Sequence, residues 1–220
     1  VEGLTKCPSL TGLTTLILES NEIGDVGARA ISEAKLFAKL KHLSLTKNQI
    51  GDSGALHLIK SGALTQLETL DLELNQIGKE RLAKFPDGTA VASLARLNLR
   101  RNQMGDETVS DWLQTGAFVP VRHLNLGWNR IGDTGAGLLA KSPTLACVEQ
   151  LLLDSNSIGN AGAGAIAESR QLYPPAFKEA LLGNETELEW SATGECRTQS
   201  PCPVGSASRG GDAFAEEQPF

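Results

Sequence analysis

The sequence lacks the segments that would place it in a membrane or mark it for export. No apolar run approaches the roughly 18 residues of a membrane span, and the first residues resemble no signal peptide. Basic charge is also scarce: the net charge is −6, and lysines and arginines form no stripe. We therefore expect neither a membrane nor a nucleic acid among the partners of this chain.

Cysteine is scarce as well, with four residues in 220, whereas small secreted domains depend on many disulfides. Cys196 and Cys202 are close enough in sequence to pair, although free thiols are the simpler expectation. Asn184 opens a glycosylation sequon, which has meaning only in a secreted protein. The sequence therefore predicts a cytoplasmic protein.

No constellation of catalytic or metal-binding residues can be found. His42 and His123 fall at equivalent positions about 14 Å apart, given strands spaced by about 4.8 Å, which is too far to share a metal ion. The stretch from Gly162 to Ala167 spells G-x-G-x-x-A, a dinucleotide-binding pattern, but it does not directly follow a strand as that motif requires. We expect no enzyme activity, no cofactor and no metal.

What the sequence does contain is an internal repeat, marked by one asparagine every 27 residues. The six members, which we call the asparagine ladder, are Asn21, Asn48, Asn75, Asn102, Asn129 and Asn156. Leucines stand three and five positions before each of them, and an apolar residue followed by glycine stands two and three positions after. Self-similarity with a period of 20–50 residues is typical of a solenoid.

Each repeat is expected to form one strand and one helix. The leucines alternate with other residues, as in a strand buried on one face. The asparagine amide can satisfy backbone groups of the turn, and the following glycine suits a turn with positive φ. Acidic or amide residues at the next position are expected to cap the helix, namely Asp25, Asp52, Asp106, Asp133 and Asn160.

The helix of each repeat contributes small and apolar residues to the packing. Gly-Ala pairs such as Gly54-Ala55 are expected to let the helix pack close behind the sheet. Ten positions after each asparagine, a core column contains Ile31, Leu58, Phe85, Trp112, Leu139 and Ile166. Cys7 and Cys147 lie about five repeats apart, too far for the roughly 7 Å between the Cα atoms of bridged cysteines.

The pattern L-x-x-L-x-L-x-x-N-x-I-G resembles the leucine-rich repeat family over about residues 4 to 172. Its 27-residue period with I-G-D-x-G-A helices is similar to the ribonuclease-inhibitor-like subclass, which includes the repeats of NOD-like receptors and of Ran GTPase-activating protein. The resemblance implies an α/β fold: a curved solenoid, or horseshoe, with parallel strands on the concave face and helices on the convex face.

The repeats also predict the limits of the domain. Residues 1–12 are interpreted as the remnant of an earlier repeat, so the chain is expected to be a fragment, and residues 13–172 as six repeats. In the third repeat, Pro86 and Gly88 are expected to shorten the helix. Residues 173–190 form a possible C-terminal cap, and the acidic residues 191–220 are expected to be disordered.

The variable residues of the strands are expected to form the exposed concave face. A basic row in the fourth repeat lies between acidic residues of the third and a tryptophan of the fifth. The candidate binding residues are Asp71, Glu73, Arg96, Asn98, Arg100, Arg101, His123 and Trp128. Arginine and tryptophan are enriched in binding hot spots. The alternative is that Arg100 and Arg101 only pair with Glu73 and Asp71, while Trp128 covers a turn.

The resemblance implies a non-enzymatic scaffold that binds another protein on its concave face. Two other functions remain open. A GTPase-activating protein resembling Ran GTPase-activating protein could supply Arg100 or Arg101 in trans, and a sensor portion of a larger NOD-like receptor would carry a nucleotide-binding domain upstream. The repeat itself does not identify the partner.

Overall fold

The computed structural model of this chain describes residues 3, 4, 10–79, 90–118, 121–169 and 184. Within these residues the repeats form six strands: β1 (Thr15–Ile17), β2 (His42–Ser44), β3 (Thr69–Asp71), β4 (Arg96–Asn98), β5 (His123–Asn125) and β6 (Gln150–Leu152). They make one parallel sheet in sequence order. Each strand pairs with the next at equivalent repeat positions, such as Leu16 with Leu43. This confirms the leucine-rich-repeat fold predicted from the period.

Helices return the chain from one strand to the next. They are α1 (Asp25–Glu33), α2 (Asp52–Ile59), α3 (Asp106–Thr115), α4 (Asp133–Lys141) and α5 (Asn160–Ala167), with short 3₁₀ turns at Lys35–Phe37 and Pro143–Leu145. The predicted effect of Pro86 and Gly88 on the third repeat falls outside the described residues, as does Phe85. None of the described helices has the length and apolar character that crossing a bilayer requires.

The core lies between the sheet and the helices. The middle leucine of every strand is buried, and so are the described members of the core column, Ile31, Leu58, Trp112, Leu139 and Ile166. Leu4 and Leu10 pack against this core and are partly buried. The divisions proposed at residues 1–12, 173–190 and 191–220 fall mostly outside the described residues, so they stay predictions.

The asparagine ladder joins neighbouring turns of the solenoid. Asn48 donates from Nδ2 to the carbonyl of Leu18 in the repeat before, at 2.9 Å, and to that of Leu45 in its own repeat, also at 2.9 Å. Its Oδ1 accepts the backbone N–H of Ile23 at 3.0 Å. Asn75, Asn102, Asn129 and Asn156 repeat this pattern. Each amide therefore satisfies backbone groups of two repeats at once.

A seventh ladder residue lies beyond the sequence register. Asn184 accepts the backbone N–H of Ile158 at 3.1 Å and donates to the carbonyl of Leu153 at 2.8 Å, as the ladder residues do. It stands 28 residues after Asn156, not 27. A search at a fixed interval of 27 residues therefore missed it. Its side-chain amide nevertheless bonds the backbone of the preceding repeat.

The backbone differs from expectation at the turns. The glycines after the ladder have extended φ values, for example −97° at Gly24 and −93° at Gly51, and only Gly78 has a positive φ, of 87°. The positive φ falls instead on the residue before each asparagine: Ser20, Lys47, Leu74, Arg101, Trp128 and Ser155, at 53–56°. The left-handed position is therefore occupied by residues with side chains.

The aspartates also act differently from the predicted helix caps. Glycine occupies each N-cap, without a side-chain hydrogen bond, and the aspartate is the first helical residue. Asp25 instead accepts the backbone N–H of Gly51 in the next repeat at 2.6 Å. Asp52, Asp106 and Asp133 make the same contact with Gly78, Gly132 and Gly159. These carboxylates connect repeats.

In the Gly-Ala pairs at Gly54, Gly135 and Gly162, the glycine makes room for the aspartate of the preceding helix. A Cβ on Gly54 would lie 2.6 Å from Oδ1 of Asp25, and one on Gly162 would lie 2.6 Å from Oδ1 of Asp133. Real Cβ atoms essentially never come that close. The glycine thus serves packing between neighbouring helices, while the adjacent alanine is the residue that enters the core. The G-x-G-x-x-A spelling at Gly162 lies inside α5.

Candidate protein-binding surface

Few of the candidate side chains on the concave face are fully exposed to solvent. Arg96, Arg101 and Trp128 are exposed, whereas Asp71, Glu73, Arg100 and His123 are half-buried. Asn98 is buried, with only 1% of its surface exposed. The strands bring all eight predicted residues onto one face of β3–β5 and the turns that follow, but they do not make them equally available to a partner.

A row of hydrogen-bonded turns explains why Asn98 is buried. Its Oδ1 accepts the backbone N–H of Arg100 at 3.1 Å, two residues along the chain. Asp71 and Asn125 do the same for Glu73 and Gly127. The Nδ2 of Asn98 also lies 3.2 Å from Oδ1 of Asp71. Contrary to the expectation of an exposed residue, Asn98 serves the backbone, as such short polar side chains commonly do in turns.

Arg100 is held by an acidic residue two repeats away. Its Nη1 lies 2.8 Å from Oδ2 and 3.1 Å from Oδ1 of Asp154. Glu73, the partner expected from the neighbouring strand, is more distant, at 4.0 Å from Nε. The pair crosses the fifth repeat above Gly127, where a Cβ would lie 2.4 Å from Asp154 and 2.8 Å from Arg100. Only a residue without a side chain leaves room for this ion pair.

Arg101 and Trp128 form the exposed part of the surface. The guanidinium of Arg101 lies 5.1 Å from the centroid of the Trp128 ring, and that of Arg100 lies 5.7 Å from it. Such cation–π contacts contribute about 0.5–1 kcal/mol at exposed sites. Arg101 also lies 3.8 Å from Glu73. The tryptophan is nevertheless 49% exposed, so two cations orient it without covering it.

The remaining members of the predicted set lie at the beginning of the strands. Arg96 starts β4 and His123 starts β5, and their backbones pair in the sheet. Nδ1 of His123 lies 3.2 Å from Oε1 of Gln150 in the next repeat. These residues extend the face away from Trp128. No group of three or more His, Cys, Asp and Glu in the described ranges could hold a metal ion.

Asp52 lies outside the concave face, and the pKa of its carboxyl group is raised above the ordinary value. Burial raises its pKa, while hydrogen bonds from the backbone of Gly78 and from Trp112 lower it. Nε1 of Trp112 donates to Oδ1 of Asp52 at 2.7 Å and so links the fourth repeat to the second. Because this contact spans 60 residues, the repeat period gave no sign of it.

Cys147 is disulfide-bonded. The other three cysteines, Cys7, Cys196 and Cys202, all lie outside the described residues.

Comparison with known proteins identifies the repeat. The family model described as Leucine Rich repeat matches residues 9–32, 38–58, 63–80 and 120–140. No curated protein sequence matches the chain. These four ranges contain the first three ladder residues and the fifth.

Solved structures that are similar to this chain match it at low sequence identity. An internalin (inlF) from Listeria monocytogenes matches with a TM-score of 0.52 and 22% identity, over 83% of this chain and 45% of its own. An internalin C2 (inlC2) from the same organism matches with a TM-score of 0.45 and 22% identity, over 80% of this chain and 74% of its own. A TDR receptor matches with a TM-score of 0.43 and 16% identity, over 83% and 28%.

The chain thus spans less than half the length of the first internalin, and at this identity the likeness concerns the fold alone. The family match, the asparagine ladder and the six-stranded parallel sheet lead to one conclusion. The chain has the leucine-rich-repeat fold, and its four matched stretches are similar in sequence to that family.

Proposed function

We propose that this chain is a non-enzymatic scaffold that binds a partner protein on its concave face, at a site centred on Arg101 and Trp128. The observation that carries the proposal is the exposure of Trp128, at 49%, between two arginines that already orient its ring. Leucine-rich repeats generally mediate protein–protein interaction, which supports a binding role.

The size of the face favours a few strong anchors. Six strands at about 4.8 Å span about 24 Å, which is near the lower limit for an interface of about 800 Å² on each side. Trp128 offers area with little conformational entropy to lose, and Arg101 offers a planar set of donors. Arg96 and His123 would contribute contacts at the periphery, while Asp71 and Glu73 would orient a basic group of the partner.

Affinity capture from cell extract tests the proposal. In the double variant Arg101→Asn with Trp128→Asn, we expect specific partners to be lost, because loss of a hot spot costs about 2 kcal/mol or more. Asparagine is chosen because it tolerates the positive φ of both positions. The matched control on the helical face is Leu138→Ala with Lys141→Ala, two exposed residues of α4.

Circular dichroism should show the same folded content in all three proteins. The proposal is wrong if the Arg101/Trp128 variant keeps every partner, or if only the α4 variant loses them.

The GTPase-activator alternative receives no support from the geometry. Arg100 is held by Asp154, and Arg101 contacts Trp128 and Glu73. Arg100 is therefore not poised to enter a second protein's active site, and Arg101, although exposed, has no contact that marks it as catalytic. Stimulated GTP hydrolysis in a turnover assay would favour that alternative over a scaffold.

Two narrower proposals accompany the function. The 27-residue period and the helices of 8–10 residues support the ribonuclease-inhibitor-like subclass. The scarcity of cysteine, four residues in 220, supports a cytoplasmic location. The disulfide at Cys147 weighs against that location, since disulfides persist in oxidising compartments. A thiol count on the chain purified from cells decides: a retained disulfide contradicts the cytoplasm.

A further inference from the structure

The residues at the left-handed position of the turns form a continuous row along one rim of the concave face. In the second to fifth repeats they are Lys47, Leu74, Arg101 and Trp128, and all four are exposed. We call these residues, together with the adjacent exposed Arg130, the turn edge. Cationic and apolar side chains alternate along it.

The turn itself does not require these side chains. Ser20 and Ser155 adopt the same φ at the two ends of the row, at 55° and 54°. Glycine or asparagine would adopt it at lower cost, since the left-handed region costs other residues about 1–2 kcal/mol. Leu74 is nevertheless 40% exposed and Trp128 is 49% exposed. The fold gives no reason for large apolar side chains here, so their role lies outside the core.

The charge of the turn edge is positive. Lys47, Arg101 and Arg130 contribute three cations. The carboxylates of Glu73 and Asp154 have side chains that are only 17% and 20% exposed, and they already lie near Arg100 or Arg101. A partner with carboxylates would therefore meet cations that the described part of the chain leaves accessible.

We propose that the turn edge binds a short segment of a partner protein that carries both acidic and large apolar side chains on the face it presents to the edge. Carboxylates of the segment pair with Lys47, Arg101 and Arg130, and its apolar side chains pack on Leu74 and Trp128. From Lys47 to Trp128 is three strand spacings, about 14 Å, or about four residues of extended chain. This proposal rests on the proposed function and names the class of partner for the same surface.

Peptide binding by the full chain tests the proposal. The probe is a fluorescent peptide in which two glutamates and two leucines repeat, so that each face of the extended chain carries both side chains. It is compared with peptides in which serine replaces leucine or lysine replaces glutamate. We expect the glutamate–leucine peptide to bind at least about tenfold more tightly than either control. The peptide with serine lacks the apolar side chains, and the peptide with lysine lacks the carboxylates. Its affinity should fall as salt is raised, since exposed charges are screened.

Variants locate the site. Leu74→Asn and Arg101→Asn should each weaken the glutamate–leucine peptide by about tenfold, and the α4 control Leu138→Ala with Lys141→Ala should not. Equal binding of the three peptides, or equal weakening by the α4 control, overturns the proposal. Tighter binding of a single-stranded oligonucleotide at the same residues also overturns it and makes the edge a nucleic-acid surface.

Failure here is distinguishable from failure of the proposed function. If the Arg101/Trp128 variant loses its native partner but no peptide binds, the concave face is a protein-binding surface that recognises a different chemistry.

Discussion

At the scale of single residues, one asparagine per repeat bonds two turns of the chain. Asn75 donates to the carbonyls of Leu45 and Leu72, both at 3.0 Å, and accepts the N–H of Ile50, also at 3.0 Å. It is 7% exposed, so water cannot replace these bonds. Asn21 instead donates to the carbonyls of Leu18 and Glu19 in its own turn, and it is exposed.

This difference gives a stability prediction with an internal control. Asn75→Ala should lower the free energy of unfolding by about 1–3 kcal/mol, the cost of leaving a buried group unpaired. Asn21→Ala should lower it by less, because water can reach the groups it leaves. Urea denaturation measures both, and an equal loss in the two variants would contradict the assignment.

At the scale of elements, the helices are spaced by the aspartate of one repeat and the glycine of the next. Helix α5 contains two glycines that differ in this respect. A Cβ on Gly162 would meet Oδ1 of Asp133 at 2.6 Å, and its Cα at 2.9 Å, whereas a Cβ on Gly164 would meet nothing within 4 Å. The same backbone element thus holds a packed glycine and a free one.

Alanine at these two positions should change stability in opposite directions. Gly164→Ala should raise the free energy of unfolding by up to about 1 kcal/mol, since alanine favours helix more than glycine does. Gly162→Ala should lower it, because the overpacked Asp133 must shift and lose its bond to Gly159. Thermal or urea unfolding decides, and stabilisation by both substitutions would show that α4 and α5 are not packed as described.

At the scale of the whole molecule, the second and fourth repeats are joined through Asp52 and Trp112. The indole is 1% exposed and the aspartate 5% exposed. Because burial is the main cause of the raised Asp52 pKa, the folded chain holds the proton more tightly than the unfolded chain does. The stability from this group is therefore fully present below the ordinary aspartate pKa, about 3.9. It is lost as pH rises through the raised value.

The pH dependence can be isolated with a neutral variant. Asp52→Asn removes the titration but leaves a hydrogen-bonding side chain of the same shape. Relative to this variant, the wild-type chain should lose stability between acid and neutral pH. Urea unfolding at a series of pH values, followed by tryptophan fluorescence, measures the difference. Parallel pH profiles for the two proteins would contradict a raised pKa in the folded state.

The repeat pattern predicted the fold because each turn of a solenoid buries the same positions against its neighbours. The alternating leucines gave the six strands, and the core column gave residues such as Ile31 and Leu139 that are fully buried. Asn184 escaped the prediction because it stands one residue out of register. A search at a fixed interval of 27 residues cannot find an asparagine that stands 28 residues after the last one, even when its side chain makes the same hydrogen bonds.

The candidate surface was predicted less completely than the fold. Its location in the third to fifth repeats followed from the strand positions. The exposure of each side chain did not, because the sequence does not show which polar groups are taken by the backbone. Asn98 has the same place in its strand as exposed Ile17, yet its amide bonds the following turn and is buried.

The sequence by itself determined the repeat, its strands and helices, and the asparagine that joins each turn to the last, since these depend on residues at fixed spacing. Only the tertiary structure decided the contacts that skip a repeat. Arg100 reaches Asp154 because Gly127 leaves a gap between them, and Trp112 reaches Asp52 through the packed core. Such contacts depend on the length of the two side chains and on whether the repeat between them has a side chain in the way. Neither property recurs every 27 residues.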